Sequence, residues 1–173
     1  INKNIGTILA RNGKQAEADE YFQRALEFAP DKWTDMANLA GTYVNRGEPS
    51  RSLSIYEQLV ELRPDDTKMW NDYGVATSSA GYLTVAEKYF RKAIELDPDF
   101  QEVWNNLGSN FMHRALRDQA IEAFKKALEL SPKYLAPQIN LCLILGFADR
   151  LDEAYMYAQS VVMHENFQPQ MFS

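Results

Sequence analysis

The sequence predicts an all-α chain built from five repeated helix–turn–helix hairpins, and three observations lead there. Pro30, Pro64, Pro98 and Pro132 stand 34, 34 and 34 residues apart. Other columns keep the same step: Gly13, Gly47 and Gly81; Phe22, Tyr56, Phe90 and Phe124; Gly6, Ala40, Gly74, Gly108 and Cys142. Between these positions apolar residues recur three and four apart, as in Ala86, Phe90, Ala93, Ile94 and again Ala120, Phe124, Ala127, Leu128, the spacing of one buried helix face. A fixed period of this length is the mark of a repeat array in which each unit buries its apolar face against its neighbours. No alternating pattern of strand type is found.

Each element follows from a local reason. The first helix of each hairpin ends where glycine at 13, 47 and 81 takes a left-handed turn without steric cost. Proline stops the second helix, because it offers no N–H and forces the residue before it out of helical geometry. The helices expected in order are 1–13, 15–29, 32–46, 49–62, 66–80, 83–96, 100–114, 117–130, 134–148 and 151–164. Small residues at 6, 40, 74 and 108 let the two helices of a hairpin approach closely, with the aromatic residues at 22, 56, 90 and 124 opposite.

The motifs WNDYG, AEKYFRKAIELDP, WNNLG and AIEAFKKALELSP resemble the tetratricopeptide repeat (TPR) family over essentially the whole chain. The resemblance implies a right-handed α-α superhelix, a TPR solenoid, with a concave binding surface. The repeats fall at 1–30 (N-terminally truncated), 31–64, 65–98, 99–132 and 133–166, with 167–173 a tail or the start of a further repeat. Asn2, Met36 and Gln138 stand where Trp70 and Trp104 stand, Ala115 and Asp149 replace the turn glycine, and Ala158 and Asn166 replace the aromatic and the proline of a degenerate fifth unit. Solenoids need polar caps, and the outward Tyr155, Ala158 and Val162 call for further repeats, a capping helix or a second copy. The sequence therefore reads as part of a longer array, open to homo-association through its ends.

Bulk properties exclude several functions. At 173 residues and a net charge of -6 the chain lacks the basic surface of a phosphate binder, so nucleic acid is not an expected partner. Its longest apolar run, LCLILGFA at 141–148, is too short to span a bilayer. The single cysteine, Cys142, makes no intrachain disulfide, which favours a reducing compartment such as the cytoplasm, and its column makes it a buried packing residue. His113 and His164, the two histidines, have no spacing to Cys142 and a carboxylate that would build a nucleophile, and metal-ligand spacings and phosphate loops are absent. No cofactor and no enzymatic activity are expected.

What remains is a column of amides. In VWNNLGSNF at 103–111, Asn106 lies inside a helix although asparagine is a poor helix former, and stepping by 34 gives Asn4, Asn38, Asp72, Asn106 and Asn140. Each precedes the small packing residue by two positions, about 200° around a helix, and so points away from the hairpin core. One reading makes these amides scaffold groups bonding sideways to neighbouring helices. The other makes them a ladder that holds an extended peptide by its backbone, since a carboxamide both donates and accepts. A similar ladder is known in the repeat segment of the O-linked N-acetylglucosamine transferases, a likeness that implies a binding mode and no chemistry. Flanking candidates are Lys3, Thr7, Arg11, Lys68, Asn71, Asn105, Ser109, His113, Ile139 and Leu143. They predict a partner protein whose extended segment is acidic toward the first units and apolar toward the last, although Ile139, Leu143 and Phe147 could instead take a capping helix. Two alternatives stand beside this reading: the substrate-recruiting arm of a larger enzyme such as a glycosyltransferase, and a dicarboxylate clamp of co-chaperone type using Lys3, Asn38 and Lys68. Thr7 and Asp72 stand in the clamp where Asn and Arg are required, and an anion repels an anion.

Overall fold

A computed structural model describes residues 8, 9, 12, 14, 17, 18, 20, 21, 24 and 32–162. The expected helices 1–13 and 15–29 fall for the most part outside the described residues, as do Lys3, Asn4, Thr7 and Arg11. Eight helices follow: α1 (Lys32–Asn45), α2 (Pro49–Leu62), α3 (Thr67–Ser79), α4 (Leu83–Leu96), α5 (Gln101–His113), α6 (Arg117–Leu130), α7 (Leu135–Phe147) and α8 (Leu151–Val162). They pair as α1 with α2, α3 with α4, α5 with α6 and α7 with α8. By its contacts the chain divides into two compact units, 1–65 and 66–173, and each is described by itself.

The turns show why the period works. Gly47 and Gly81 have φ of 74° and 89°. The Gly81 N–H donates to the Ser78 carbonyl (2.9 Å) and the Tyr82 N–H to the Thr77 carbonyl (3.1 Å), a Schellman closure that satisfies the last carbonyls of α3. Ala115 and Asp149 make the same closure: Ala115 N–H to Met112 O and Leu116 N–H to Phe111 O, then Asp149 N–H to Gly146 O and Arg150 N–H to Leu145 O. Both adopt φ of 58°, so the turn keeps its left-handed residue where glycine is lost and carries the strain of a Cβ there. At the other ends Arg63, Asp97 and Ser131, each before a proline, leave the helical region with φ of −135°, −143° and −141°.

Within the 66–173 unit one apolar core runs through all three hairpins, from Phe90 through Val103, Leu107 and Phe124 to Leu141 and Leu145. Phe90 sits over Gly74 and Phe124 over Gly108, each so close that a Cβ on the glycine would fall 2.6 Å from the ring. The fifth unit, degenerate in sequence, also closes as a hairpin, with Ala154 and Tyr157 of α8 packed into the core. Cys142 differs from expectation: it is half-buried rather than buried. First helices α3, α5 and α7 touch in succession, whereas α4 and α6, and α6 and α8, make no such contact. The first helices are therefore the tighter layer, and their free face is the inner one of this unit.

Candidate functional site

That inner face carries the amide column, and its geometry departs from a simple row of open rungs. Asn106 and Asn140 are half-buried and tied sideways. The Asn106 Nδ2 donates to Asn71 Oδ1 at 2.9 Å, and the Asn140 Nδ2 donates to Asn105 Oδ1 at 3.4 Å. Asn71 and Asn105, expected on the groove wall, are instead 4% and 8% exposed. Their position one residue earlier turns them about 100° toward the next hairpin, where their carbonyl oxygens anchor the following rung. Both side chains are thus closed off from solvent rather than open on the groove wall. Sequence reasoning placed them in the groove because it treated each hairpin alone.

At the other end of this relay the Asn71 Nδ2 donates to Asp72 Oδ1 (3.3 Å), and Lys68 Nζ donates to Asp72 Oδ2 (2.6 Å). The Lys68 ammonium is thus paired one helical turn from its carboxylate, and the local charge expected to favour an acidic peptide is largely cancelled. Ser109 turns its hydroxyl back to the Asn105 carbonyl (3.1 Å), and His113 is exposed in the last turn of α5. Ile139, Leu143 and Phe147 project from α7 at 39%, 49% and 79% exposure, one apolar stripe at four-residue spacing. In the 1–65 unit Asn38 is exposed on α1, and its carbonyl accepts from the Thr42 hydroxyl.

Other polar groups tie hairpin to hairpin. Trp104 Nε1 donates to the Pro98 carbonyl at 2.9 Å, and Gln138 Nε2, in the same column, donates to the Pro132 carbonyl at 2.8 Å. Glutamine thus keeps the bond that tryptophan makes, which the difference in side-chain type concealed. Asn110, buried, donates through Nδ2 to the Leu83 carbonyl (3.0 Å) and the Ser78 hydroxyl (3.4 Å) of the preceding hairpin. The sequence signal for it is an asparagine in a column otherwise held by Ile8, Thr42, Ala76 and Ile144. Glu87 of α4 is gripped by Arg91 and by Arg114 from the next hairpin. Burial pushes its carboxyl up, but the two guanidiniums together prevail and hold it below the usual carboxylate range. Burial, helped by the charge of Glu102, pushes the Tyr134 phenol up. Among the described residues no group of His, Cys, Asp and Glu could hold a metal ion, and no helix is long and apolar enough to cross a membrane.

Models of the tetratricopeptide repeat match residues 4–32, 38–99 and 101–134. The chain is a tetratricopeptide repeat protein. Its TPR fold is similar to that of solved structures along nearly all its length. A crystal structure of MamA is 21% identical with a TM-score of 0.75, covering 93% of this chain and 94% of that one. A thermophilic TPR protein of Thermus thermophilus is 22% identical at 0.74, covering 95% and 90%. YrrB, described as a TPR protein with an unusual peptide-binding site, is 15% identical at 0.66, covering 95% and 84%. No curated protein matches the sequence. TPR hairpins mediate protein binding.

Proposed function

We propose that this TPR module holds an extended segment of another protein along the inner face of α3, α5 and α7, gripping its main chain with Asp72, Asn106 and Asn140. The observation that carries the reading is the anchoring of Asn106: the buried Asn71 accepts one of its N–H groups and so orients the amide, while among the described residues its Oδ1 holds no hydrogen bond. An amide held in one orientation loses little entropy when a ligand N–H arrives, so the sideways bonds of the scaffold reading pre-organise the ladder rather than consume it. Asn140, held by Asn105, repeats the arrangement one hairpin on. Extended chain rises about 3.3 Å per residue and packed helices lie about 8–10 Å apart, so successive rungs would meet about every third residue.

Ile139 and Leu143 supply an apolar end for the same segment. With Lys68 paired to Asp72, the expected preference for acidic residues near α3 weakens, and a dicarboxylate clamp loses one of its cations. The likeness to the repeat segment of the O-linked N-acetylglucosamine transferases supports the grip on main chain alone. In the test, a library of extended peptides is screened on the wild-type chain and every binder is titrated against Asn106→Ala and Asn140→Ala. Affinity lost across binders of unrelated side chains is the expected result. Unchanged affinity for all of them would end the proposal.

A further inference from the structure

On another face of α5, about 100–160° around the helix from Asn106, lies a surface cavity of about 440 Å³. Trp104, Leu107 and Phe111 of α5 and Ala123 of α6 give it its apolar lining. The size lies within the range of pockets that take ligands. Its origin is legible in the repeat itself. Stepping by 34 from Ala123 gives Tyr21, Ile55, Tyr89 and Tyr157, so Ala123 is the one small residue in a column of large ones. One hairpin earlier, Tyr89 stacks on Tyr73 with centroids 4.0 Å apart and planes 16° apart, and lies 5.8 Å from Trp70. One hairpin later, Tyr157 packs against the core. Trp70 and Tyr73 are the counterparts of Trp104 and Leu107. The cavity is therefore the place of a tyrosine ring that this hairpin does not supply. The indole N–H of Trp104 is already bonded to Pro98, which fixes the ring while its surface stays half-exposed.

The rim carries charge. Asp118 and Glu122, one turn apart on α6, line the cavity and form no salt bridge among the described residues. The two cations on the rim are committed, Arg91 to Glu87 and Lys126 to Glu129. An incoming group beside the ring would thus meet two carboxylates that no salt bridge holds, their charge offset in part by the exposed Arg150, whose guanidinium is bonded to Glu153.

We propose that this cavity is a second docking site, which receives a tyrosine-type side chain from a partner protein segment carrying a lysine or arginine next to it. The ring takes the place that Tyr89 holds in its own hairpin, and the basic neighbour meets Asp118 and Glu122. The site lies on a different face from the amide ladder and does not depend on it.

The probes are p-cresol, which is the tyrosine side chain alone, and the capped tripeptide Lys-Tyr-Lys, titrated at low salt while the indole N–H resonance of Trp104 is followed by NMR. Both are expected to shift it saturably in the wild-type chain, with the tripeptide binding more tightly. Ala123→Tyr fills the cavity from within, and its expected result is a loss of affinity for both probes of at least about tenfold, with the melting temperature unchanged or raised. Asp118→Asn combined with Glu122→Gln should weaken the tripeptide by about two- to fivefold and leave p-cresol as it was, the size of an exposed ion pair. The double variant keeps the test open should Ala123→Tyr fail to fold. Absence of saturable shifts in the wild-type chain, or tripeptide affinity unaltered by the charge removal or by a folded Ala123→Tyr chain, overturns the proposal.

Discussion

Gly108 is the eighth of 13 residues in α5, a position where alanine ordinarily improves a helix by about 1 kcal/mol. Here the same change should destabilise. A Cβ at Gly108 would lie 2.6 Å from Phe124 Cε1, 2.7 Å from Cδ1 and 3.0 Å from Cζ. Carbon atoms prefer about 3.5–4.0 Å, and the Phe124 ring, with 0% exposure, has no space into which it can swing. Overpacking of a filled core costs about 1–3 kcal/mol, and contacts this short belong in the upper part of that range. Subtracting the helix gain leaves a net loss of about 1–2 kcal/mol. Gly146, in the last turn of α7, provides the matched control, because a Cβ there meets nothing within 4 Å. Gly146→Ala should stabilise by up to about 1 kcal/mol. Both variants make the same change to the unfolded chain, so urea midpoints followed by circular dichroism, with equal slopes, compare the folded sites directly. Pairing Gly108→Ala with Phe124→Leu should cost less than the sum of the two changes. A Gly108→Ala chain as stable as Gly146→Ala would refute the close-approach argument.

Three further outcomes follow from the turns and ties. Ala115→Gly relieves a left-handed alanine worth about 1–2 kcal/mol and gives back about 0.4–1 kcal/mol through the freer unfolded chain, so thermal melts should show a gain of about 0.5–1 kcal/mol. Glu87 has a folded pKa below its unfolded one, so its contribution is present above the ordinary carboxylate range and lost as pH falls through the folded value; urea titrations across the acid range should show less pH dependence in Glu87→Gln than in the wild type. Gln138→Leu removes the donor to the Pro132 carbonyl but also the amide oxygen that is buried without a partner, so the loss should stay near or below about 1 kcal/mol in the same denaturation assay.

The period of 34 was sufficient to place the eight described helices to within two residues at each end, because the two devices that end helices act locally: a proline expels the residue before it from helical geometry, and a left-handed residue closes the opposite end. Those signals require no knowledge of the neighbours. Polar groups between hairpins were less legible, because their meaning depends on which repeat they face. Asn71 and Asn105 looked like groove residues and are buried anchors, and Lys68 looked like a free cation and is paired with Asp72. Gln138 reads as a departure until its bond to Pro132 is seen. The cavity beside Trp104 has one trace in the sequence, where Ala123 breaks a column of bulky residues. An absence of side-chain volume has no motif of its own, however, because alanine is at home anywhere in a helix.

The ties at Asn71 to Asn106 and Asn105 to Asn140 each span 35 positions. A one-residue insertion inside α5 ahead of Asn106 would rotate the helix beyond it by about 100°, separating amide from amide. Duplication or loss of a whole 34-residue block leaves the spacing of every such pair intact. Lineages of this molecule would therefore change length in whole hairpins or within the short turns, and a deletion of a few residues within a helix should be found only where these amides have also been replaced.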